Sequence, residues 1–191
     1  MAMTRRDWLA TAAAAMALGR DLRARGPGAV LRVLDPQQSE LVATIAELII
    51  PQTDTPGARA AGTHQFIDLA LAEWMDDADR QRFLAGLADV DARARAAHGG
   101  GFLQCSPAQQ SAVLTGLDED LAAERDAARA GTAWRGRPAA PDRSFFQTMK
   151  RLTLVGYYTS EIGATQELHY QIIPGRYEPC YPLESAQRGG Q

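Results

Sequence analysis

The residues best able to do chemistry in this chain are few and far apart. Its three histidines, His64, His98 and His169, belong to no His-x-x-x-His or His-Glu-x-x-His pattern, the spacing that would set two metal ligands on one helical face. His64 opens a helix beside a Pro-rich loop, where capping or a partner contact is the expected role. Ser160-Glu161 and His169 supply a nucleophile and a base by residue type, but no Gly-x-Ser-x-Gly turn presents the serine. Asp54 between Thr53 and Thr55 looks like an acid site, yet Asp and Thr in such a loop ordinarily bond neighbouring backbone amides and hold the turn. Gly99-Gly100-Gly101 lacks the spacing and the preceding strand of a dinucleotide-binding turn and reads as a helix stop. No Cys-x-x-Cys-His is present for covalent haem, and Cys105 and Cys180 are too few for a four-thiolate metal or iron–sulfur site. The expectation is a chain with no catalytic, cofactor-binding or metal-ligating residues of its own.

The elements that must position these residues read as helical. Ser39 can cap a first helix carrying Leu41, Val42, Ile45, Leu48 and Ile49, which Pro51 ends. Phe66, Ile67, Ala70, Leu71, Trp74 and Met75 mark a second, and Phe83, Leu84, Leu87, Val90 and Ala94 a third. Ser106-Pro107-Ala108-Gln109 has the capping-box order and starts a fourth through Val113, Leu114 and Leu117, with residues 118–129 extending or restarting it. A connector over 130–141 precedes a fifth, capped by Asp142 and carrying Phe145, Phe146, Met149, Leu152 and Val155. No segment alternates as a strand would. Beyond Gly163 come three prolines and several aromatic residues with little period. The expected fold is all-α: a compact bundle of about five helices over residues 29–163, with a long extended C-terminal arm over 164–191.

Composition narrows the class further. A length of 191 residues with 46% hydrophobic and 23% charged residues suits one ordinary globular domain with appended segments. The net charge of −3 hides a basic leader: residues 1–27 hold five arginines against Asp7 and Asp21, leaving 15 basic against 21 acidic residues in the remainder. That acidic balance argues against a nucleic-acid partner. In the leader, Thr4, Arg5, Arg6, Trp8 and Leu9 precede an apolar run of about twelve residues, roughly 18 Å of helix against a bilayer core of about 30 Å. Residues 1–28 thus resemble a twin-arginine export signal, an amphipathic surface helix being the alternative. Trp8, Ala10 and the arginines at 20, 23 and 25 depart from the usual pattern, and Ala17-Leu18-Gly19 offers small residues for cleavage. Such a leader implies a protein that crosses already folded into the periplasm, where disulfides persist. There Cys105 and Cys180 could pair with each other, Cys180 could pair with a partner, or both could stay free.

Four stretches carry a family resemblance: Ile49-Ile50-Pro51-Gln52-Thr53-Asp54-Thr55-Pro56-Gly57-Ala58; Phe66-Ile67-Asp68; Phe145-Phe146 through Leu152-Thr153; and Gly156-Tyr157-Tyr158-Thr159-Ser160-Glu161. Over residues 39–183 the chain resembles the gluconate 2-dehydrogenase subunit 3 family. The resemblance implies a small non-catalytic subunit of a periplasmic or membrane-associated sugar or polyol dehydrogenase. Its large partner would be an FAD-dependent flavoprotein of the glucose-methanol-choline type, and a multihaem cytochrome c is often the third subunit. FAD, haem c and an iron–sulfur cluster would then sit in partner subunits, and the twin-arginine machinery would be a further partner. In that setting Pro51, Thr53, Asp54, Thr55, Pro56, Tyr157, Tyr158, Glu161, Tyr177 and Tyr181 are the candidate interface, although core packing is equally open to the tyrosines. A free-standing exported helical binding protein is the alternative reading.

Overall fold

The computed structural model describes residues 30–131 and 144–170. The chain divides into two compact units, Met1–Leu31 and Arg32–Gln191, and every element named here belongs to the second. Its described residues form five α-helices: α1 Pro36–Ile49, α2 Thr63–Glu73, α3 Asp77–His98, α4 Pro107–Gly131 and α5 Phe145–Tyr158. A 3-10 turn, Phe102–Gln104, joins α3 to α4, and a π-helix, Gly163–Glu167, follows α5. Among the described residues there is no strand, and the protein is all-α, as the periodicity predicts.

The helix starts follow local chemistry, with two corrections. The Asp35 carboxylate accepts the Gln38 N–H at 2.7 Å while the Gln38 side chain accepts the Asp35 N–H at 3.0 Å, a capping box with Pro36 as the first helical residue. Ser39, expected as the cap, lies one turn inside α1 and is buried. A proline suits only a helix's first turn, and its fixed φ moves the start upstream. Ser144, whose Oγ accepts the Gln147 N–H, caps α5 in place of Asp142, which lies outside the described residues. Asp76 caps α3, which ends on left-handed Gly99, and Ser106 with Gln109 starts α4 as expected.

The core gathers the apolar stripes of all five helices. Val42 and Ile45, Ile67 and Leu71, Phe83, Leu87 and Val90, and Met149 and Leu152 are all almost fully buried, with Phe102 under them from the 3-10 turn. α5 packs against each of the other four helices, so it is the central strut. α3 buries one narrow stripe and covers its other faces with short-range pairs, Asp77–Arg80, Asp79–Arg82, Asp89–Arg93 and Asp91–Arg95, the pattern of a solvated face. Among the described residues no helix is long and apolar enough to cross a membrane.

Candidate functional site

The Pro-rich loop is built around one carboxylate. Glu47, on the last turn of α1, accepts the Gln52 N–H at 2.9 Å on one oxygen and the Arg59 N–H at 2.9 Å on the other. The loop 51–58 is thereby drawn into a ring closed by the Ala58 N–H donating to the Ile50 carbonyl at 3.0 Å. Within it the Thr53 N–H donates to the Thr55 carbonyl at 3.0 Å. Gly57 passes so close that a Cβ there would stand 2.3 Å from a Glu47 oxygen, which explains the absence of a side chain. Arg59 then reaches back to α1, donating to Glu40 at 2.8 Å and to the Thr44 hydroxyl at 2.8 Å.

The end of α5 holds the same loop from the other side. The Tyr157 hydroxyl donates to the Pro56 carbonyl at 2.9 Å, and the Thr55 hydroxyl donates to the Glu167 carboxylate at 2.7 Å, contacts spanning 101 and 112 residues of sequence. Glu167 is delivered by the π-helix Gly163–Glu167, in the first part of the segment expected to be extended. The Ser160 hydroxyl donates to the Tyr157 carbonyl at 2.6 Å and accepts the Gly163 N–H at 3.0 Å, setting the turn into that π-helix. Gly156 lets α5 lie against α2, since a Cβ there would sit 2.6 Å from the Phe66 ring. The stretches at 49–58 and 156–161 are therefore neighbours in space.

Each sequence-derived candidate has a definite place. Tyr157 is 1% exposed, so it is a core residue and not a surface contact: its ring fills the bundle while its hydroxyl satisfies a loop carbonyl. Tyr158 is exposed, its ring set edge-on to that of Tyr157 at 5.3 Å. Pro51, Thr53, Asp54 and Glu161 are exposed, and Thr55 and Pro56 are half-buried. The Asp54 carboxylate accepts the Thr53 hydroxyl at 2.9 Å, and that bond, followed by its own and the Thr55 backbone N–H, holds it below the usual carboxylate range. The Ser160 hydroxyl is engaged with backbone on both sides. His64 is half-buried with no hydrogen-bond partner for Nδ1; burial first, then nearby Arg59, lowers its pKa, with Glu40 partly opposing. Cys105 is a half-buried free thiol with Sγ 3.9 Å from the Gly100 carbonyl. Thr4, Arg5, Arg6, Trp8, Leu9, Tyr177, Cys180 and Tyr181 lie outside the described residues.

Three carboxylates do positional work that the sequence assigned to none of them: Glu47, Glu167 and Asp68, the last quoted only within the Phe66-Ile67-Asp68 stretch. Asp68 is 4% exposed and accepts three successive backbone N–H groups, Arg32 at 2.8 Å, Val33 at 3.0 Å and Leu34 at 2.8 Å, pinning the entering chain to α2. The signal for Asp68 is an acidic residue beside Ile67 on a buried helical face, where a carboxylate must find donors. Among the described residues no group of three or more His, Cys, Asp or Glu could hold a metal ion. A groove of about 210 Å³ runs between α1 and α3 over Leu41, Leu84, Leu87 and Leu103. Two of its rim carboxylates are in use, Asp35 as the α1 cap and Asp91 on the Phe102 N–H at 2.8 Å.

Nothing matches this chain among the curated proteins or among the solved structures. The family described as gluconate 2-dehydrogenase subunit 3 matches residues 36–175, a span that takes in all five helices, the Glu47 loop and the Glu167 latch. With most of its length so matched, the chain belongs to the gluconate 2-dehydrogenase subunit 3 family, and is by that membership a subunit of a dehydrogenase complex.

Proposed function

We propose that this chain is the non-catalytic small subunit of a periplasmic or membrane-associated FAD-dependent sugar or polyol dehydrogenase, serving as export escort and as folding and stabilising partner of the flavoprotein. The observation that carries the reading is the paired hold on loop 51–58, by Tyr157 on Pro56 and Glu167 on Thr55. Side chains that could have served a reaction are engaged in fixing a surface. A surface already ordered loses little entropy when a partner docks, which favours a lasting complex. The redox groups, FAD with haem c and an iron–sulfur cluster, belong in this reading to the flavoprotein and a multihaem cytochrome c.

The escort role follows from the leader. A flavoprotein loaded with cofactor must cross folded, and a docked small subunit can lend it a twin-arginine signal. Deleting residues 4–9 is expected to leave the flavoprotein active but cytoplasmic; its arrival in the periplasm unaided refutes the escort. Expressed without this chain, the flavoprotein is expected to be insoluble or poor in flavin, and full loading refutes the folding role. Elution of this chain alone from native extract would favour the free-standing binding protein instead.

A further inference from the structure

The first turn of α2 is fastened unlike the start of any other described helix. Asp35, Asp76, Ser106 and Ser144 each turn a side-chain oxygen onto the first N–H groups of α1, α3, α4 and α5, whereas α2 begins on left-handed Gly62 with no capping side chain. A helix start without such a cap frays more readily. Backbone bonds hold it instead: the Gly62 N–H donates to the Arg59 carbonyl and the Thr63 N–H to the Ala58 carbonyl, each at 3.1 Å. Two buried side-chain atoms without a hydrogen-bond partner lie in this one turn, Thr63 Oγ1 and His64 Nδ1. Each gains water when the turn opens, and so works against closure.

For His64 the balance depends on its charge. An imidazolium donates from both ring nitrogens, and Nδ1 meets no acceptor in the closed turn. His64 is also the second residue of α2, where a cation faces the positive end of the helix dipole. Burial first, and then the like charge of Arg59, hold its pKa below the ordinary value, with Glu40 of α1 partly opposing. The other charged groups on the elements packed around α2 are engaged or face water. Glu47 holds two loop amides, Lys150 pairs with Asp118, Arg32 with Glu73, and Glu167 accepts from Thr55. Arg151, Glu161 and His169, on or after α5, are exposed. The closed turn therefore refuses a proton that the open one accepts.

The same turn is wired to loop 51–58 through Arg59. Its carbonyl accepts the Gly62 N–H, its own N–H donates to Glu47, and its guanidinium reaches Glu40 and the Thr44 hydroxyl. We infer that the first turn of α2 is a pH-sensitive catch: proton uptake by His64 opens it and lets the Arg59 end of loop 51–58 come away from Glu47, so that a surface ordered at neutral pH loosens in acid. The holds of Tyr157 on Pro56 and of Glu167 on Thr55 remain, which confines the opening to one end of the loop. An exposed imidazole takes up its proton near pH 6.5, so below about that pH the open form gains up to about tenfold per pH unit, until the closed form titrates as well.

The test follows amide exchange by NMR in the full chain, each rate taken against that of an unstructured chain at the same pH. Between about pH 7.5 and 5.5 the Arg59, Gly62 and Thr63 amides should lose protection several-fold, and at most about tenfold. Low urea should leave these three rates unchanged, the mark of a small local opening, while core amides such as that of Leu71 speed up. His64→Gln, which stays neutral, should keep at about pH 5.5 the protection it shows at about pH 7.5, with circular dichroism confirming its fold. The wild-type His64 ring signals should titrate below about pH 6.5, a readout that needs no variant. Protection that still falls in a folded His64→Gln chain assigns the titration to a carboxylate and overturns the catch. Unchanged wild-type protection in acid, a urea dependence shared with the core, or a ring titrating at or above about pH 6.5 overturns it equally.

Discussion

Replacing Asp68 tests whether one buried carboxylate fastens the start of the compact unit to α2. Its oxygens accept the Arg32, Val33 and Leu34 N–H groups at 2.8, 3.0 and 2.8 Å. A hydrogen bond to a charged group contributes about 1.5–3 kcal/mol when desolvated. The Leu34 bond is buried and counts in full, whereas Arg32 is exposed and Val33 half-buried, so those two are discounted. Asp68→Ala is therefore expected to cost about 3–5 kcal/mol, part of it through Leu34, a core side chain that the clamp holds in place. For a unit of this size that lowers the melting temperature by roughly 10 °C. Asp68→Asn retains an oxygen for Val33 and Leu34 but turns an NH2 toward the Arg32 N–H, so an intermediate loss of about 2 kcal/mol is expected. Glu73→Ala is the control. It removes the carboxylate that pairs with the Arg32 side chain, a pair about 40% exposed on each side, and should cost under about 1 kcal/mol. The assay is urea unfolding followed by circular dichroism, with protease sensitivity near residues 30–35 as the local readout. An Asp68→Ala variant within about 1 kcal/mol of wild type, or no more damaging than Glu73→Ala, would refute the clamp.

Three further outcomes follow from the same geometry. Gly156→Ala should destabilise by about 1–3 kcal/mol despite its helix-propensity gain, because a Cβ would stand 2.6 Å from the Phe66 ring. Gly116→Ala on α4, where a Cβ meets nothing within 4 Å, should stabilise by about 1 kcal/mol, and thermal melts of the pair should move in opposite directions. Tyr157→Phe should cost about 1–2 kcal/mol by orphaning the Pro56 carbonyl, and should loosen loop 51–58 in amide exchange before it alters the helices. His64 has a folded pKa below its unfolded value of about 6.5, so the unfolded chain takes up its proton first as the pH falls. Its contribution is nil above about pH 7.5 and turns against folding below about pH 6.5, so His64→Gln should flatten the fall of the urea midpoint between pH 7.5 and 5.5, and an unchanged fall would count against the burial argument.

Much of the fold was legible from short-range patterns. The apolar spacing of Val42 and Ile45, of Ile67 and Leu71, and of Phe83, Leu87 and Val90 predicts helices whose buried faces are the observed core, because a helix repeats over a few residues and its caps lie within four. Start positions were harder. Ser39 and Ser144 show that choosing among nearby cap residues depends on the neighbouring proline and on which hydroxyl reaches an N–H. Of the four stretches that carry the family resemblance, 49–58 and 156–161 gave no indication in the sequence that they touch.

What the chain determined by itself was the all-α class, the five helices and the family. What only the tertiary structure decided was the use of particular side chains: Tyr157 inside rather than at the surface, Glu47 and Glu167 as holds on one loop, and Asp68 as the clamp on residues 32–34. Helical periodicity is a property of neighbours along the chain, whereas the hydrogen-bond partners of Asp68, Tyr157 and Glu167 lie 34 to 112 residues away.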